Sequence, residues 1–320
     1  MRLGILGTAD IAFRRFLPSL KKYPQVEYAG VASRTKGTAK RFVEMFGGRA
    51  YDSYDALLAD ESIDAVYVPL PPALHYEWGK KVLLSRKHLL MEKPFTTSAA
   101  KTTGLLAIAV ENGLAVHENY MFLYHSQLAK IKELIADGAI GDIRLYRMAF
   151  GFPKRAGRDF RYDKALGGGA LLDCGGYPVR LSLELLGDTA RVVQAKLTQP
   201  KGYEVDVFGS AVLENEDGLC AQVSFGMDNA YQCQLEVWGS KATLIAPRIF
   251  TAGDSVQPGL ILRTSNGETV KQMECDDQFL HSIQQFVKSC TDLRERALSM
   301  ELIRKQSVIV QDVFEKGEIR

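Results

Sequence analysis

The segment Gly4-Ile5-Leu6-Gly7-Thr8-Ala9-Asp10-Ile11-Ala12 leads from a short apolar strand directly into a helical pattern. Aligned with G-x-G-x-x-G/A, its three key positions are Gly7, Ala9 and Ala12. Small residues at these positions allow a tight turn, a close approach of the backbone to a pyrophosphate, and close helix–strand packing. The free N–H groups at the start of a helix also suit a phosphate. The segment therefore predicts a dinucleotide site formed by Gly7, Thr8, Ala9, Asp10 and Ile11, although alanine weakens the match at two positions.

The first third of the chain alternates strand-like and helix-like patterns. Strands are predicted at 2–6, 26–32, 64–69, 88–91 and 114–116, and helices at 11–21, 38–46, 75–85 and 98–112. Strands separated by helices of about 10–15 residues are typical of βαβ units and a parallel sheet. The pattern predicts an α/β domain over residues 1–118, with a doubly wound parallel sheet of the Rossmann type.

From residue 119 onward, longer strand-like runs follow one another with few helices between them. The runs are 143–152, 191–198, 207–214, 219–226, 232–239 and 258–263, and the helical patterns are 126–137, 170–186, 277–290 and 298–315. This spacing predicts an α+β domain over residues 119–320 with a broad, mainly antiparallel open sheet. An open sheet with an apolar outer face commonly buries that face in a partner, so we expect a homodimer or homotetramer.

The composition excludes several classes of protein. The 40 Lys and Arg against 38 Asp and Glu leave a net charge of +2, which indicates neither a nucleic-acid partner nor a membrane surface. No apolar run approaches the roughly 18 residues of a membrane span. The five cysteines form no C-x-x-C pair, so no disulfide framework and no metal site is predicted. The N-terminus shows no signal-peptide pattern, and a cytoplasmic location is expected.

The end of the second predicted strand indicates which dinucleotide is bound. NAD sites usually carry an acid there for the ribose 2′-hydroxyl, whereas this chain reads Ser33-Arg34-Thr35-Lys36. Ser33 and Thr35 offer hydroxyl groups, and Arg34 can grip a 2′-phosphate through its fork of N–H groups, with Lys36 adding charge. The run favours NADP(H) over NAD, the alternative being a solvated basic loop.

A rigid turn, Pro69-Leu70-Pro71-Pro72, follows the third strand and precedes His75 at a helix start. Leu70, Pro71 and His75 are candidates for the wall of the cofactor site, because ligands collect at the carboxyl ends of parallel strands. For His75, a capping or packing role is an equal alternative.

The tetrapeptide Met91-Glu92-Lys93-Pro94 lies where the buried strand 88–91 ends. A lysine at this edge of the sheet, flanked by Glu92 and stiffened by Pro94, is placed for chemistry. Lys93 is therefore a candidate catalytic residue, the alternative being a surface lysine before a proline.

A second informative run is Gly167-Gly168-Gly169-Ala170-Leu171-Leu172-Asp173-Cys174-Gly175-Gly176-Tyr177-Pro178. The glycines permit a tight turn or a close approach of a ligand to the backbone. The helical pattern after them places Asp173 and Tyr177 on one face. A tyrosine has an ordinary pKa of about 10, which a nearby ammonium lowers so that its hydroxyl can donate a proton. Tyr177 is a candidate proton donor, or else a tyrosine that packs over the core.

Four basic residues, Lys154, Arg155, Arg158 and Arg161, precede the glycines. They are either a solvated run or a site for a phosphorylated or diphosphate substrate.

These motifs together resemble the glucose–fructose oxidoreductase / inositol dehydrogenase (Gfo/Idh/MocA) family over essentially the whole chain. Glu92-Lys93-Pro94 matches its E-K-P signature, Gly167 to Asp173 matches its G-G-G-x-L-x-D run, and Asn119 matches a position near the nicotinamide. Tyr177 stands where most sugar-alcohol dehydrogenases of the family have a histidine base. With this tyrosine, the chain is similar to NADPH-dependent sugar 3-ketoreductases. Other segments add to that likeness: Ala9 to Ala12, Arg14-Arg15, Val66 to Pro71, His75 and Phe160-Arg161-Tyr162.

The resemblance implies an NADP(H)-dependent oxidoreductase that reduces a keto sugar, free or linked to a nucleotide. It implies Tyr177 as proton donor with Lys93 assisting, and substrate contacts from Asp173, Arg161 and Tyr162. It also implies that Glu92, Lys93 and Asn119 contact the cofactor. One alternative is an NADP-dependent sugar or trans-dihydrodiol dehydrogenase, since such enzymes also carry the tyrosine. Another is a cofactor-bound sensor without turnover.

Overall fold

The computed structural model describes residues 1–35, 37–156 and 159–319. The chain divides into two compact units, Met1–Asn119 with Phe279–Ser307, and Tyr120–Gln278 with Val308–Arg320. The segment Phe279–Ser307 thus packs in the first unit, although its sequence position predicts that it lies in the C-terminal domain. That the first domain binds cofactor and the second binds substrate stays a prediction.

The first unit is built on a six-stranded sheet in the order β3-β2-β1-β4-β5-β6. Every pair in this sheet is parallel, which confirms the predicted doubly wound sheet. The strands are β1 (Arg2–Leu6), β2 (Glu27–Ala32), β3 (Arg49–Tyr51), β4 (Ala65–Val68), β5 (His88–Met91) and β6 (Val116–Glu118). The strand order reverses between β1 and β4, and such a reversal opens a crevice at the carboxyl ends of the strands.

The helices of this unit cover the sheet. A π-helical segment, Ala12–Phe16, runs into α1 (Leu17–Leu20), and α2 (Lys40–Phe46), α3 (Tyr54–Leu58), α4 (His75–Leu84) and α5 (Ala99–Glu111) follow. Strand β4 is buried along its whole length and β5 after its first residue, as expected of a parallel sheet covered on both faces. Of these elements, β3 and α3 were not predicted.

The second unit contains a nine-stranded sheet in the order β14-β13-β12-β11-β7-β10-β9-β8-β15. Its strands are β7 (Ile143–Gly151), β8 (Arg191–Thr198), β9 (Phe208–Glu214), β10 (Cys220–Gly226), β11 (Gln232–Gly239), β12 (Thr243–Ala246), β13 (Gly259–Thr264), β14 (Gly267–Gln272) and β15 (Gly317–Ile319). The β7–β10 and β8–β15 pairs are parallel and the others antiparallel. The predicted mainly antiparallel sheet is therefore confirmed, although β12, β14 and β15 were not foreseen.

Among the described residues, the remaining α-helices are α6 (Ser126–Ala136), α7 (Gly176–Leu186), α8 (Gln278–Thr291) and α9 (Leu293–Lys316). A π-helical segment, Leu171–Gly175, leads into α7, and both pack on one face of the nine-stranded sheet over β7 and β10. Within the described ranges, no helix combines the length and apolarity needed to cross a membrane.

The opposite face of this sheet is mixed in character. Arg147 on β7 pairs with Glu236 on β11 at 2.9 Å, and its guanidinium lies 5.1 Å from the ring centre of Trp238. Ser210, Gln222 and other polar side chains alternate with the inward-facing apolar ones. The apolar outer face on which the oligomer prediction depends is thus only partly apolar.

Candidate active site

The turn after β1 is fixed by Gly7. Its N–H donates to the Ala32 carbonyl at 2.9 Å, which ties the turn to the end of β2. Gly7 has φ +101°, and a Cβ there would lie 2.7 Å from Leu70 Cδ2. Both the backbone angle and the space therefore require glycine. Ala12 is fully buried, so an alanine is small enough for the close helix packing that the motif needs.

Three hydroxyl groups gather at the end of β2, beside this turn. Ser33 Oγ lies 2.6 Å from Thr38 Oγ1, and Thr8 Oγ1 lies 3.2 Å from Thr38 Oγ1. The N–H of Thr35 donates to Ser33 Oγ at 3.2 Å. The predicted residues Thr8, Ser33 and Thr35 are thus brought together, and Thr38 joins them although it was not predicted.

Two guanidinium groups lie beside the hydroxyls. Burial raises the pKa of Tyr54, and the nearby positive charge of Arg34 opposes the rise. Arg41 donates to the Thr8 carbonyl at 3.4 Å and lies 3.9 Å from Asp10. This donor set, with no acid at the end of β2, fits a phosphate better than a ribose hydroxyl. The predicted Lys36 lies outside the described residues.

Thr38, Arg41 and Tyr54 also lie at this turn, although none of them was predicted from the sequence. Thr38 and Arg41 stand at the start of the helix that follows β2, an element whose first turn faces the same sheet edge as the strand end. That position was the available signal for these two residues.

His75 connects two loops rather than offering its ring to a ligand. The ring is fully buried, with Nδ1 2.7 Å from the Pro94 carbonyl and Nε2 2.7 Å from the Leu70 carbonyl. Burial lowers the pKa of His75, and the two carbonyls oppose this effect. Both ring nitrogens contact backbone, which indicates a role in holding the loops after β4 and β5 together. Leu70 packs over Gly7, and Pro71 is half-buried beside it.

Lys93 follows β5 in a loop held from both sides. Before it, Glu92 Oε1 accepts hydrogen bonds from the Tyr67 hydroxyl at 2.6 Å and from Asn119 Nδ2 at 2.7 Å. Burial raises the pKa of Glu92, while these two hydrogen bonds and the charge of Lys93 lower it. After it, the Phe95 N–H donates to Glu118 Oε1 at 2.6 Å. The structure thus brings the predicted Glu92 and Asn119 together beside Lys93.

In the second unit, the glycine run lies against protein rather than leaving room for a ligand. A Cβ on Gly168 would lie 2.4 Å from the Arg161 carbonyl oxygen, and one on Gly169 would lie 2.5 Å from Asp206 Oδ1. Asp206 Oδ2 accepts the Leu171 N–H at 2.7 Å, so this carboxylate caps the helical segment that carries Asp173. Burial raises the pKa of Asp206 to about 6. Asp206 was not predicted from the sequence.

Asp173 is bound by Arg161. Arg161 Nε donates to Asp173 Oδ2 at 2.8 Å, and its Nη1 lies 3.1 Å from Asp159 Oδ1. Asp173 is buried and Arg161 is largely so. Two of the predicted substrate residues therefore form one ion-pair cluster.

Tyr177 lies in a pocket of aromatic rings. Its ring centre is 4.9–5.9 Å from those of four other residues: Phe150, Tyr120, Phe122 and Phe250. Only 7% of Tyr177 is exposed. These aromatic neighbours bury nearly all of Tyr177, and the sequence could not reveal them because they are dispersed along the chain.

The basic segment also lies among aromatic rings. The Tyr162 hydroxyl donates to the Met227 carbonyl at 2.7 Å and accepts from the Arg155 N–H at 3.2 Å. Lys154 hydrogen-bonds the Tyr203 hydroxyl, and the Arg155 guanidinium lies 5.0 Å from the ring centre of Phe152. The side chains of Lys154 and Arg155 are exposed. Arg158 lies outside the described residues.

Comparison with known families places the chain in a class. The model described as "Oxidoreductase family, NAD-binding Rossmann fold" matches residues 1–120, and "GFO/IDH/MocA C-terminal domain" matches residues 128–245. The chain belongs to the Gfo/Idh/MocA oxidoreductase family, which confirms the resemblance drawn from its motifs.

Several individual proteins are similar to this chain over most of its length. The dTDP-3,4-didehydro-2,6-dideoxy-alpha-D-glucose 3-reductase of Actinomadura kijaniata is 39% identical over 310 residues, which cover 97% of this chain and 93% of the relative. D-xylose 1-dehydrogenase (NADP(+)) 2 of Haloferax volcanii is 31% identical over 292 residues, 90% of this chain and 89% of its own. A crystal structure of a 3-ketoreductase from A. kijaniata with NADP and TDP-benzene matches with a TM-score of 0.96 and 38% identity, covering 100% of this chain and 98% of that one. The cofactor in that structure is the one predicted here.

Proposed function

We propose that this protein is an NADPH-dependent reductase of a keto sugar linked to a nucleoside diphosphate. The observation that carries the proposal is the presence of both Lys93 and Tyr177. Lysine-to-alanine and tyrosine-to-phenylalanine variants of the A. kijaniata 3-ketoreductase have been crystallised with NADP and TDP-benzene. The lysine and tyrosine replaced there lie as far apart in that chain as Lys93 and Tyr177 lie in this one.

The cofactor half of the proposal rests on the cluster after β2. The hydroxyls of Thr8, Ser33 and Thr38, with the guanidinium groups of Arg34 and Arg41, would hold the 2′-phosphate of NADPH. The turn at Gly7 would lie against the pyrophosphate. When bound, NADPH supplies the hydride that is transferred to the carbonyl carbon of the sugar.

The protein's own residues then supply the proton that the carbonyl oxygen needs. Tyr177 donates its phenolic proton to the carbonyl oxygen as negative charge develops there. The positive charge of Lys93 orients that oxygen and favours the phenolate left behind. Asp173, held by Arg161 at 2.8 Å, presents a fixed carboxylate to the sugar hydroxyls. The aromatic rings around Tyr177 keep water from competing for its proton.

The decisive experiment is to supply purified protein with NADPH and the dTDP-linked 3-keto sugar, and to follow the loss of NADPH absorbance. Turnover that Lys93→Met abolishes, with NADPH binding nearly intact, supports the proposal. If Lys93→Met also loses NADPH binding, the lysine has a structural role and the mechanism is wrong. Absence of turnover by the unmodified protein with any nucleotide-linked keto sugar contradicts the function itself.

A second candidate is an NADP-dependent sugar or trans-dihydrodiol dehydrogenase, which the similarity to the H. volcanii D-xylose dehydrogenase favours. The exposed bases Lys154 and Arg155 discriminate between the two. Their combined replacement by alanine should raise the KM for a nucleotide-linked sugar, because they would meet the diphosphate, and leave the KM for free xylose unchanged. An unchanged KM for the nucleotide sugar argues for the dehydrogenase.

The proposal includes a homodimer or homotetramer formed through the open face of the nine-stranded sheet, and a cytoplasmic location. Phe208 and Trp238 on that face are 41% and 46% exposed, and burying such side chains favours association. All five cysteines are free thiols, in keeping with a reducing compartment. Light scattering of the unmodified protein and of Trp238→Glu tests the interface; a monomer in both cases contradicts it.

A further inference from the structure

Five side chains form a continuous hydrogen-bonded chain inside the first unit. It begins at His117 on β6, whose Nε2 lies 2.9 Å from Ser282 Oγ on α8. Ser282 Oγ lies 2.8 Å from Asn119 Oδ1, and Asn119 Nδ2 lies 2.7 Å from Glu92 Oε1. The Tyr67 hydroxyl reaches the same carboxylate oxygen at 2.6 Å. His117, Asn119 and Ser282 are each 1% exposed, so water does not compete for the two bonds that join them.

Because each group can only donate or accept in certain ways, all the hydrogen bonds of this series run in one direction from donor to acceptor. Glu92 Oε1 accepts, so the NH₂ of Asn119 must face it and the amide oxygen must face Ser282. Ser282 has a single O–H, which the amide oxygen uses. The remaining contact of Ser282 is therefore as an acceptor, and His117 must carry its proton on Nε2. Every bond then donates toward the carboxylate that directly precedes Lys93.

We propose that Ser282 is a positioning residue for the reductase reaction, which holds the amide of Asn119 against Glu92 and thereby fixes the loop that carries Lys93. The inference rests on the proposed function and adds to it a residue from the segment Phe279–Ser307. Removal of the hydroxyl takes the donor from Asn119 Oδ1 and the acceptor from His117. The amide is then free to rotate, and Glu92 loses a fixed partner.

Ser289 provides a matched control on the same helix. It is also a buried serine, at 0% exposure, but its hydroxyl donates within the helix to the Phe286 carbonyl at 2.7 Å. Ser289→Ala therefore removes a buried hydroxyl of the same kind without touching the chain of bonds to Glu92. A merely structural role for Ser282 would make the two alanine variants alike in kinetics.

The kinetic test compares Ser282→Ala and Ser289→Ala with the unmodified protein. We expect Ser282→Ala to lower kcat about tenfold, since small displacements of a catalytic group have effects of this order or larger. The Kd for NADPH, measured by nicotinamide fluorescence, should change less than about twofold, because the phosphate cluster is untouched. Ser289→Ala should leave both constants unchanged. Equal kcat values for the two variants, or a loss of NADPH affinity that accounts for the whole effect, would overturn the proposal.

A spectroscopic test needs neither substrate nor cofactor. Nitrogen NMR of histidine-labelled protein, with His117 assigned through His117→Gln, should show the Nε2–H tautomer, and its Nε2 signal should move in Ser282→Ala but not in Ser289→Ala. An Nδ1–H tautomer reverses the direction of the chain and refutes the argument, even if Ser282→Ala fails to fold. If the unmodified protein reduces no nucleotide-linked keto sugar, the role in that reaction falls with the proposed function, whereas the NMR result still decides the hydrogen-bond direction.

Discussion

Replacement of Arg34 by alanine should change which dinucleotide the protein prefers. Arg34 follows β2 next to Ser33, whose hydroxyl lies 2.6 Å from that of Thr38. Burial raises the pKa of the neighbouring Tyr54, and the charge of Arg34 opposes that rise. NADPH and NADH differ only in the 2′-phosphate, so a residue that reads this group affects one and spares the other. A hydrogen bond to a charged group contributes about 1.5–3 kcal/mol. Because Arg34 is exposed, solvent screening places its contribution near the lower value.

A loss of about 1.5 kcal/mol corresponds to a roughly tenfold weaker Kd. We therefore expect Arg34→Ala to weaken NADPH binding about tenfold and to leave NADH binding within about twofold. Fluorescence titration with each dinucleotide measures both constants. Arg49→Ala is the matched control, since Arg49 is an exposed arginine on β3 that stacks over Tyr51 at 4.8 Å. Equal weakening of NADPH and NADH, or a similar NADPH effect in the control, refutes Arg34 as the reader of the 2′-phosphate.

Three further changes test the second unit. Gly169→Ala should destabilise the protein by about 1–3 kcal/mol, because φ is +122° and the new Cβ would lie 2.5 Å from Asp206 Oδ1. The control is Gly218→Ala, where φ is +79° but no atom lies near the new Cβ. This variant should lower the melting temperature less than Gly169→Ala does. Asp206 has a pKa of about 6, above the ordinary 3.8, so its stabilising effect is complete below pH 4 and is lost as the pH rises through 6. In urea titrations, the unfolding free energy of the unmodified protein should fall by about 3 kcal/mol relative to Asp206→Asn over that interval, and parallel pH curves would contradict this. Tyr177→Phe should abolish turnover while the Kd for NADPH stays unchanged, and retained turnover would exclude Tyr177 as the proton donor.

The elements that the sequence predicted are those with a strong apolar pattern. Strands β4 and β5 are short continuous buried runs rather than periodic ones, as is typical of strands in a parallel sheet covered on both faces. Strand β14 shows why others were missed, since all six of its residues are exposed and its pairing with β13 leaves no hydrophobic pattern. Strand β3 has only three residues, two of them exposed. Edge strands of this kind are held by backbone hydrogen bonds, which leave no periodic pattern of apolar side chains in the sequence.

The residues of the candidate site likewise divide into those that a local sequence pattern predicts and those that it does not. Gly7, Lys93 and Tyr177 stand in local motifs, and a local pattern was enough to single them out. Their partners come from distant parts of the chain, as when Ser282 reaches Asn119, and no spacing rule connects residues so far apart. The sequence therefore indicates the proposed catalytic groups more readily than the residues that hold them in place.

In the basic segment before the glycines, the ion pairs seen in the structure change which residues we expect to bind a phosphate. Arg161 lies between two carboxylates, those of Asp159 and Asp173, so this cluster of one positive and two negative charges is a poor site for a diphosphate. Lys154 and Arg155 instead contact aromatic rings and extend into solvent, where a phosphate can approach both. We expect the affinity for the diphosphate to depend on these two residues, and the Arg161 guanidinium to act on the reaction only by fixing Asp173. Arg161→Lys should consequently lower kcat through a displaced carboxylate, since an ammonium cannot bridge both acids in the same geometry, while the alanine variants of Lys154 and Arg155 should raise KM.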